Sequence, residues 1–324
     1  MFRNNKPLLR PTVALLYLLF FVIGFSACLN KIPEFNFDQL KHTKVSGLSL
    51  AGDRVRGMLV YLPPGYDSTK TKTYPAIIFF HGVAANGNGS DSDLNNILLD
   101  SYRPEGYTLP GAIEKGTVDP VVDYKGKTYE YIVITPQTTV YDYPENYLGA
   151  NSVDSILDYA TAHFRIDTQR IYLTGMSTGA NMAIEYAGSS VKRAERIAAI
   201  ATASLCARVN TPTNIADSIT PLNIAKAKLP IWFMHCMLDS GKRRSCPPEI
   251  AQGWVDQIIS AGGLPPRLTI LDGGISRYNK FRGEKPAKPC HCNQARHNTW
   301  STMYRQGYND DGPDLYNWFI QYHR

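Results

Sequence analysis

A serine framed by two glycines is the clearest chemical feature of the sequence. Residues 175–179 read GMSTG, a G-x-S-x-G pattern centred on Ser177. An apolar run precedes the pattern and a helix-compatible segment follows it, which is the strand–turn–helix context in which such a serine acts as a nucleophile. Glycine at either end lets neighbouring backbone approach where a Cβ would clash. The pattern therefore predicts that Ser177 is a catalytic nucleophile on a sharp turn.

Backbone amides must bind the negative charge that develops on a carbonyl oxygen when a serine attacks it. Residues 79–83 read FFHGV, so a His-Gly pair ends an apolar run, and a loop rich in Gly and Asn follows. We expect one amide of this oxyanion hole near Val83 and the other at Thr178, directly after the nucleophile. We expect His81 to organise the loop and not to act as the base.

A base must take the proton of the serine hydroxyl, because serine alone is a poor nucleophile at neutral pH. In folds that carry this serine motif, the order along the chain is serine, acid, histidine. His297 lies between the last predicted strand and the last predicted helix, where this order puts the base. His291 is the alternative. His235 lies inside an apolar run, where a buried core histidine is the expected interpretation.

An acidic residue must orient that base, and four aspartates lie between Ser177 and His297 in the sequence. Asp239 comes just after the apolar run at residues 231–235, at a strand end where catalytic loops collect. Asp272 directly follows the last predicted strand and is the main alternative. Asp256 falls within a predicted helix, and no strand comes immediately before Asp217. The favoured set is therefore Ser177, Asp239 and His297.

Short apolar runs alternate with helical patterns from about residue 45 onward. The runs suit strands that are buried on both faces, and they occupy residues 76–80, 131–135, 171–174, 197–201, 231–235 and 268–271. Helical patterns occupy residues 153–162, 180–187, 249–260 and 315–322. Residues 44–50 and 54–62 read as an antiparallel hairpin. The alternation predicts an α/β fold in which helices flank a mostly parallel central sheet.

The first 27 residues have the features of an export signal. A basic, polar start leads into an apolar run at residues 12–25, which is short for a membrane-spanning helix. Small residues then precede Cys28, as in the lipobox of bacterial lipoproteins, whose cysteine is acylated. We expect a signal peptide at 1–27, an acylated Cys28 and a tether at 28–43. A single domain at 44–324 would follow, with excursions at about 101–128 and 272–296.

Composition narrows the class of protein. The chain has 324 residues, of which 44% are hydrophobic and 19% charged, a balance that excludes a disordered protein. Cations outnumber acids by six, but three of the cations lie in the predicted signal peptide. The excess that remains is too small and too dispersed to indicate nucleic-acid binding.

The predicted export would place the cysteines in a compartment where disulfides can form. The cysteines beyond Cys28 are Cys206, Cys236, Cys246, Cys290 and Cys292. Because their number is odd, at least one stays out of any intramolecular disulfide. We expect a disulfide from Cys290 or Cys292 to Cys246 or Cys206, which would pin a long loop. A metal cluster that uses Cys290, Cys292, His291 and His297 is the less favoured interpretation.

From about residue 45 to its end, the chain resembles the α/β-hydrolase superfamily. Within it, the chain is most similar to the secreted feruloyl-esterase and polyhydroxybutyrate-depolymerase-like group. The matching segments are residues 56–66 (RGMLVYLPPGY), 74–82 (YPAIIFFHG), 132–137 (IVITPQ), 166–179 (IDTQRIYLTGMSTG), the Asp239 region and 297–300. The resemblance implies a triad of Ser177, Asp239 and His297, with an oxyanion hole near Val83 and Thr178.

The sequence departs from this group in two places. Residues 240–249 (SGKRRSCPPE) lack the Pro-Val-Val-Pro-like run that usually follows the acid. The stretch before His297 is long and rich in cysteine, where relatives often have a short Gly-rich loop. Both departures border the predicted site, so they bear on the substrate.

The residues and the resemblance together imply an exported, membrane-anchored serine hydrolase that faces the periplasm or the cell exterior. It would cleave carboxylic esters, such as acyl or feruloyl groups on polysaccharides, through an acyl-enzyme and without a metal or organic cofactor. Its partners would be the ester substrate and, through Cys28, a lipid bilayer. Two alternatives stay open. One is a serine peptidase of the same fold, and the other is a non-catalytic surface lipoprotein that binds ligands on a hydrolase scaffold.

Overall fold

The computed structural model describes residues 35–68, 70–99, 108–139, 148–206, 220–237, 239, 246–271, 297–307 and 312–324. The predicted signal peptide, Cys28 and the excursion at 272–296 lie outside these residues. Residues Phe35–Arg324 belong to one compact unit. Among the helices that the structure describes, none combines the length and apolar character that crossing a lipid bilayer requires.

The described part of the chain contains ten strands, eight of which form one central sheet. The strands are β1 (His42–Val45), β2 (Val55–Tyr61), β3 (Tyr74–Phe80), β4 (Val121–Tyr124), β5 (Lys127–Glu130), β6 (Ile132–Thr138), β7 (Ile166–Met176), β8 (Ala199–Ala203), β9 (Ile231–Cys236) and β10 (Arg267–Leu271). The central sheet has the order β1-β2-β6-β3-β7-β8-β9-β10, while β4 and β5 form a separate hairpin. The β1–β2 and β2–β6 pairs are antiparallel, and the pairs from β6 to β10 are parallel. The predicted fold class is confirmed.

Helices pack on both faces of this sheet. They are α1 (Asp91–Leu94), α2 (Leu109–Glu114), α3 (Ala150–His163), α4 (Thr178–Ser189), α5 (Val191–Ala194), α6 (Pro221–Lys226), α7 (Glu249–Ser260), α8 (Trp300–Met303) and α9 (Leu315–Phe319). Two short 3₁₀ turns, Val83–Ala85 and Asn95–Ile97, follow β3.

The apolar strands are explained by their burial on two sides. Side chains alternate along a strand, so neighbouring residues of β3 enter different cores. Ile78 and Phe80 join the core that contains buried residues of α3, α4 and α7, whereas Ile77 and Phe79 join the core that contains those of α8 and α9. A polar residue at any of these positions would lose hydration without gaining a partner, which is why the whole run is apolar.

Most element boundaries differ from the prediction by a few residues. Helix α7 has the predicted bounds, and β1 begins two residues before the predicted strand. The expected excursion at 101–128 contains α2 and β4, whose short lengths hide their periodicity in the sequence. Because β3, β7, β8 and β9 are parallel, the loops that follow them meet at one edge of the sheet.

Candidate active site

Ser177 is the single residue between β7 and α4. Its backbone has φ 54° and ψ −117°, a region that residues with a Cβ seldom occupy. Such a conformation costs on the order of 1–3 kcal/mol and persists only where the surroundings enforce it. Here the Ser177 amide donates to the carbonyl of Ala203 at the end of β8, at 2.9 Å. The strained turn presents a partly exposed side chain at the edge of the sheet.

The two glycines of the motif are required by close backbone packing. A Cβ on Gly175 would lie 2.3 Å from the carbonyl oxygen of Gly179, and a Cβ on Gly179 would lie 2.0 Å from that of Phe80. Real carbon atoms do not approach oxygen so closely. The turn that carries Ser177 can therefore close only if Gly175 lacks a side chain, and it can sit against the end of β3 only if Gly179 lacks one.

His297 and Asp239 complete a hydrogen-bonded series with Ser177. His297 Nε2 lies 2.9 Å from Ser177 Oγ, and His297 Nδ1 lies 2.7 Å from Asp239 Oδ2. A carboxylate only accepts, so Nδ1 carries the proton and Nε2 is left to accept the serine hydroxyl. His297 and Asp239 are both buried. The tautomer is thus the one that a general base at Ser177 requires.

Two histidines keep Asp239 ionised. Burial by itself would raise the pKa of this carboxyl group, but hydrogen bonds from His235 and His297 outweigh that effect and leave the pKa below its usual value. His235 Nε2 lies 3.4 Å from the same oxygen, Oδ2, that His297 contacts. Asp239 is therefore charged at neutral pH and can stabilise a positive charge on His297.

The backbone around His297 is held by Ser204, a residue that the sequence analysis did not single out. Ser204 follows β8 with φ 52° and is fully buried. Its hydroxyl donates to the carbonyl oxygen of His297 and lies 2.8 Å from Thr299 Oγ1. Ser204 precedes His297 by 93 residues, so no local pattern could have revealed the contact.

The residues of the predicted oxyanion hole begin two elements that lie beside the nucleophile. Thr178 is the first residue of α4, and Val83 is the first residue of the 3₁₀ turn after β3. A Cβ on Gly82 would lie 3.8 Å from the Cβ of Ser177, so the loop after β3 passes next to the nucleophile. Neither amide has an acceptor within the residues that the structure describes. The N-terminus of α4, which is the positive end of its helix dipole, also lies directly after Ser177 and favours negative charge there.

His81 fastens the loop after β3 to the end of β6. The Thr138 amide donates to His81 Nε2 at 3.1 Å, so Nδ1 carries the ring proton and donates to the carbonyl of Gly82 at 2.7 Å. Burial lowers the pKa of His81 to about 4, although the hydrogen bond to Gly82 acts in the opposite direction. His81 is thus a neutral organiser of the loop, as the sequence analysis expects.

Gln137 holds the same loop from the neighbouring position of β6. Its side-chain amide donates to the carbonyls of Ala85 and Asp93, at 3.0 and 2.7 Å, and its oxygen accepts the Gly89 amide at 3.0 Å. The loop is therefore fixed before any substrate binds, which is what electrostatic stabilisation of a developing charge requires.

The neutrality of His81 predicts a loss of stability in mild acid. The unfolded chain binds a proton at this residue below about pH 6.5, whereas the folded chain does so only near pH 4, so the free energy of unfolding falls as the pH drops through this interval. We expect His81 to account for roughly 2 kcal/mol of the loss between about pH 7.5 and about pH 5. Urea denaturation of wild type and His81→Gln at both pH values measures this difference. An equal loss in the variant would exclude His81 as its source.

A disulfide joins Cys206 to Cys246 beside the site. The prediction that Cys290 or Cys292 pairs with one of these two residues is wrong. The reason is topological, because Cys206 follows β8 and Cys246 follows β9, and these strands are neighbours in the sheet. Cys290 and Cys292 lie outside the described residues.

Potential metal ligands also meet at this point. One sulfur of each of Cys206 and Cys246 and one ring nitrogen of His297 lie within 4.8 Å of one another. The two sulfurs are bonded to each other, so they could bind a metal ion only after reduction. The cluster at Cys290 and His291 that the sequence analysis considered falls outside the described part of the chain.

The favoured catalytic residues are thus brought together, and the alternatives are separated from them or not described. Asp256 lies on α7, where it accepts a hydrogen bond from Gln252 at 2.7 Å. Asp217, Asp272 and His291 lie outside the described residues. Asn181, like Ser204, was missed by the sequence analysis. Its side chain accepts a hydrogen bond from the Cys206 amide at 3.0 Å. Asn181 lies one helical turn after Ser177, and this spacing was the signal that could have identified it.

Several proteins of known structure are similar to this chain. No family model matches the sequence. A thermostable esterase of known structure is similar, with a TM-score of 0.54 and 17% identity over 89% of this chain and 64% of that one. Esterase 2 from Thermogutta terrifontis, phosphoramylated by tabun, has a TM-score of 0.49 and 14% identity over 74% of this chain and 85% of that one. A CE1 ferulic acid esterase from Anaeromyces mucronatus has a TM-score of 0.45 and 17% identity over 72% of this chain and 82% of that one.

The chain therefore spans a little less than two thirds of the length of the thermostable esterase that it matches. At such low identity the likeness concerns the architecture of the chain and not its activity. Together with the order and direction of its strands, this likeness shows that the chain has the α/β-hydrolase fold.

Proposed function

We propose that the chain is a serine hydrolase that cleaves carboxylic esters through a covalent acyl-enzyme. The observation that supports this proposal is the hydrogen-bonded series Ser177–His297–Asp239, in which each group has the proton that its role requires. A strained turn, an ionised carboxylate and a prearranged loop occur together around that series. A buried structural network would have no need of a partly exposed hydroxyl at its end.

In the first step, Ser177 Oγ attacks the ester carbonyl while His297 Nε2 takes its proton. Asp239 holds the imidazole in place and stabilises the positive charge that it acquires. The amides of Val83 and Thr178 would bind the oxyanion, and losing one such donor typically lowers the rate by a factor on the order of 10²–10³. His297 then gives its proton to the departing alcohol, which leaves the acyl group on Ser177.

In the second step, water attacks the acyl-enzyme and releases the acid. His297 takes a proton from the water molecule, the same amides bind the second oxyanion, and the proton returns to Ser177 Oγ as the acyl group leaves. Every group in both steps belongs to the chain, the substrate or water.

The substrate that we propose is an acyl or feruloyl ester on a polysaccharide or a similar carrier. Its support is the sequence resemblance to the feruloyl-esterase group at residues 56–66, 132–137 and 166–179. The chemistry asks only for an ester carbonyl that reaches Ser177, so simple aryl esters should also react.

Labelling with a fluorophosphonate, combined with a substrate panel, tests the proposal. We expect covalent labelling that mass spectrometry maps to Ser177, together with hydrolysis of p-nitrophenyl acetate and of feruloylated or acetylated xylan. Cleavage of peptide anilides at comparable rates would instead identify a peptidase. Folded protein that is neither labelled nor active on any ester would favour a non-catalytic binding protein.

We also propose that the chain is exported and held at a membrane through an acylated Cys28. The basic start, the apolar run at 12–25 and the small residues before Cys28 support this proposal. In a bacterial host we expect wild-type protein to sediment with membranes and to incorporate an alkyne-tagged fatty acid. Cys28→Ser should do neither, whereas Cys236→Ser, a matched control, should do both. Tag incorporation into the Cys28→Ser variant would contradict acylation at this residue.

A further inference from the structure

The Cys206–Cys246 disulfide directly contacts the candidate nucleophile and base. Cys206 Sγ lies 3.8 Å from Ser177 Oγ and 4.0 Å from His297 Nε2. Cys206 is partly exposed, whereas Cys246 is buried. A disulfide that served only to fasten two surface loops would have no reason to lie within van der Waals distance of the reacting atoms.

One end of this disulfide is fixed to the helix that follows the nucleophile. The Asn181 side chain donates to the Cys206 carbonyl at 2.7 Å and accepts the Cys206 amide at 3.0 Å. Asn181 is a buried residue of α4, one turn after Ser177. Two hydrogen bonds to one backbone unit hold Cys206 in a defined position relative to the start of α4.

The other end, Cys246, is linked to the Asp239 carboxylate through His235. The Cys246 carbonyl accepts a hydrogen bond from His235 Nε2 at 2.8 Å, and the same nitrogen lies 3.4 Å from Asp239 Oδ2. His235 is fully buried on β9, and its Nδ1 has no partner among the described residues. The proton on His235 Nε2 is therefore shared between the Cys246 carbonyl and the Asp239 carboxylate.

We propose that the Cys206–Cys246 disulfide is a positioning clasp, that is, a covalent link that fixes the positions of the nucleophile Ser177 and the acid Asp239 relative to each other. Its reduction therefore slows acyl transfer at Ser177 in a protein that stays folded. This inference rests on the proposed serine-hydrolase function. The clasp joins Asn181 and α4 on one side to His235 and Asp239 on the other. Among the residues that the structure describes, this is the one disulfide that links these two parts.

The physical reason is that the reaction rate depends strongly on how accurately the reacting groups are aligned. A displacement of about 1 Å between reacting groups can lower the rate of an enzymatic step by a factor on the order of 10². Without the bond, the backbone of Cys246 can move away from His235, and the His235 imidazole would then lose one of the two acceptors that fix its orientation beside Asp239. The clasp residues touch no substrate atom in this proposal, so they are positioning residues.

Reduction is a balanced reaction with a phosphine. The phosphine attacks one sulfur and breaks the S–S bond, which releases one thiolate. Water then displaces the second thiolate and supplies the oxygen of the phosphine oxide, and its two protons convert the thiolates to thiols. A chelator is needed in every sample, because the freed thiols and His297 lie close enough together to bind an adventitious metal ion.

The test separates the labelling rate from the labelled fraction. Oxidised, phosphine-reduced and reoxidised wild-type protein are treated with a fluorophosphonate, and far-ultraviolet circular dichroism follows the fold. We expect at least about a tenfold fall in the labelling rate constant on reduction, with full final labelling and recovery on reoxidation. A purely structural disulfide would instead lower the labelled fraction and leave the rate constant of the folded protein unchanged, which would overturn the clasp.

Three variants keep the test decisive. Cys206→Ser/Cys246→Ser should be slow from the start and insensitive to phosphine, whereas Cys236→Ala should keep the wild-type response. If the reduced protein unfolds, Asn181→Ala still tests the clasp, because it releases Cys206 from α4 with the disulfide intact. It should slow labelling several-fold in the wild-type background and have little further effect in the double-serine background.

The outcomes distinguish this inference from the proposed function. Oxidised wild type that is not labelled at all would overturn the serine-hydrolase proposal and the clasp with it. Labelling of oxidised protein at Ser177 combined with an unchanged rate in folded, reduced protein and in Asn181→Ala would leave the hydrolase standing and overturn the clasp alone.

Discussion

Ester hydrolysis by the Ser177→Ala variant is expected to fall by a factor on the order of 10⁴ or more. The substitution removes the attacking oxygen, so no acyl-enzyme can form, and only the backbone amides and substrate binding remain to accelerate direct attack by water. Alanine keeps the Cβ and the backbone conformation at this turn. The free energy of unfolding should therefore change little.

Steady-state kinetics with p-nitrophenyl acetate measure this effect, and denaturation in urea checks the fold. Ser189→Ala, at the other end of α4, is the matched control and should keep its activity. A Ser177→Ala variant that retains more than about a tenth of wild-type turnover would contradict the role of this serine as the nucleophile.

Asp239→Asn should lower turnover by a factor on the order of 10⁴ with the fold preserved. The aspartate oxygen accepts the Nδ1 proton of His297 and so leaves Nε2 free to take the proton of Ser177. Asparagine has no charge to stabilise the imidazolium and can present an N–H group to Nδ1, which favours the wrong tautomer. Turnover of a simple ester at saturating substrate measures the loss.

Two further aspartates sharpen this experiment. Asp272→Asn tests the alternative acid that the sequence leaves open, and Asp256→Asn on α7 is a surface control of identical chemistry. We expect both to keep near-normal turnover. If Asp272→Asn were inactive and Asp239→Asn active, the assignment of the acid would be reversed.

The elements of the fold were largely predictable because burial on both faces leaves a strong local signal. Strands β3, β6, β7, β8, β9 and β10 all overlap the predicted apolar runs, and α7 has the bounds that its periodicity predicts. Short elements such as α2 and α6 were missed, since a helix of six residues contains fewer than two turns and shows no clear periodicity. The order of the strands in the sheet was not predicted, because pairing depends on residues far apart in the chain.

The sequence by itself determined the candidate nucleophile, because a strained turn between strand and helix needs its glycines at fixed local positions. It also narrowed the base and the acid to short lists. Only the tertiary structure brought His297 to Ser177 across 120 residues and Asp239 to His297 across 58. It alone paired Cys206 with Cys246, since neighbouring parallel strands bring together the loops that follow them, and linear spacing does not reveal which strands are neighbours.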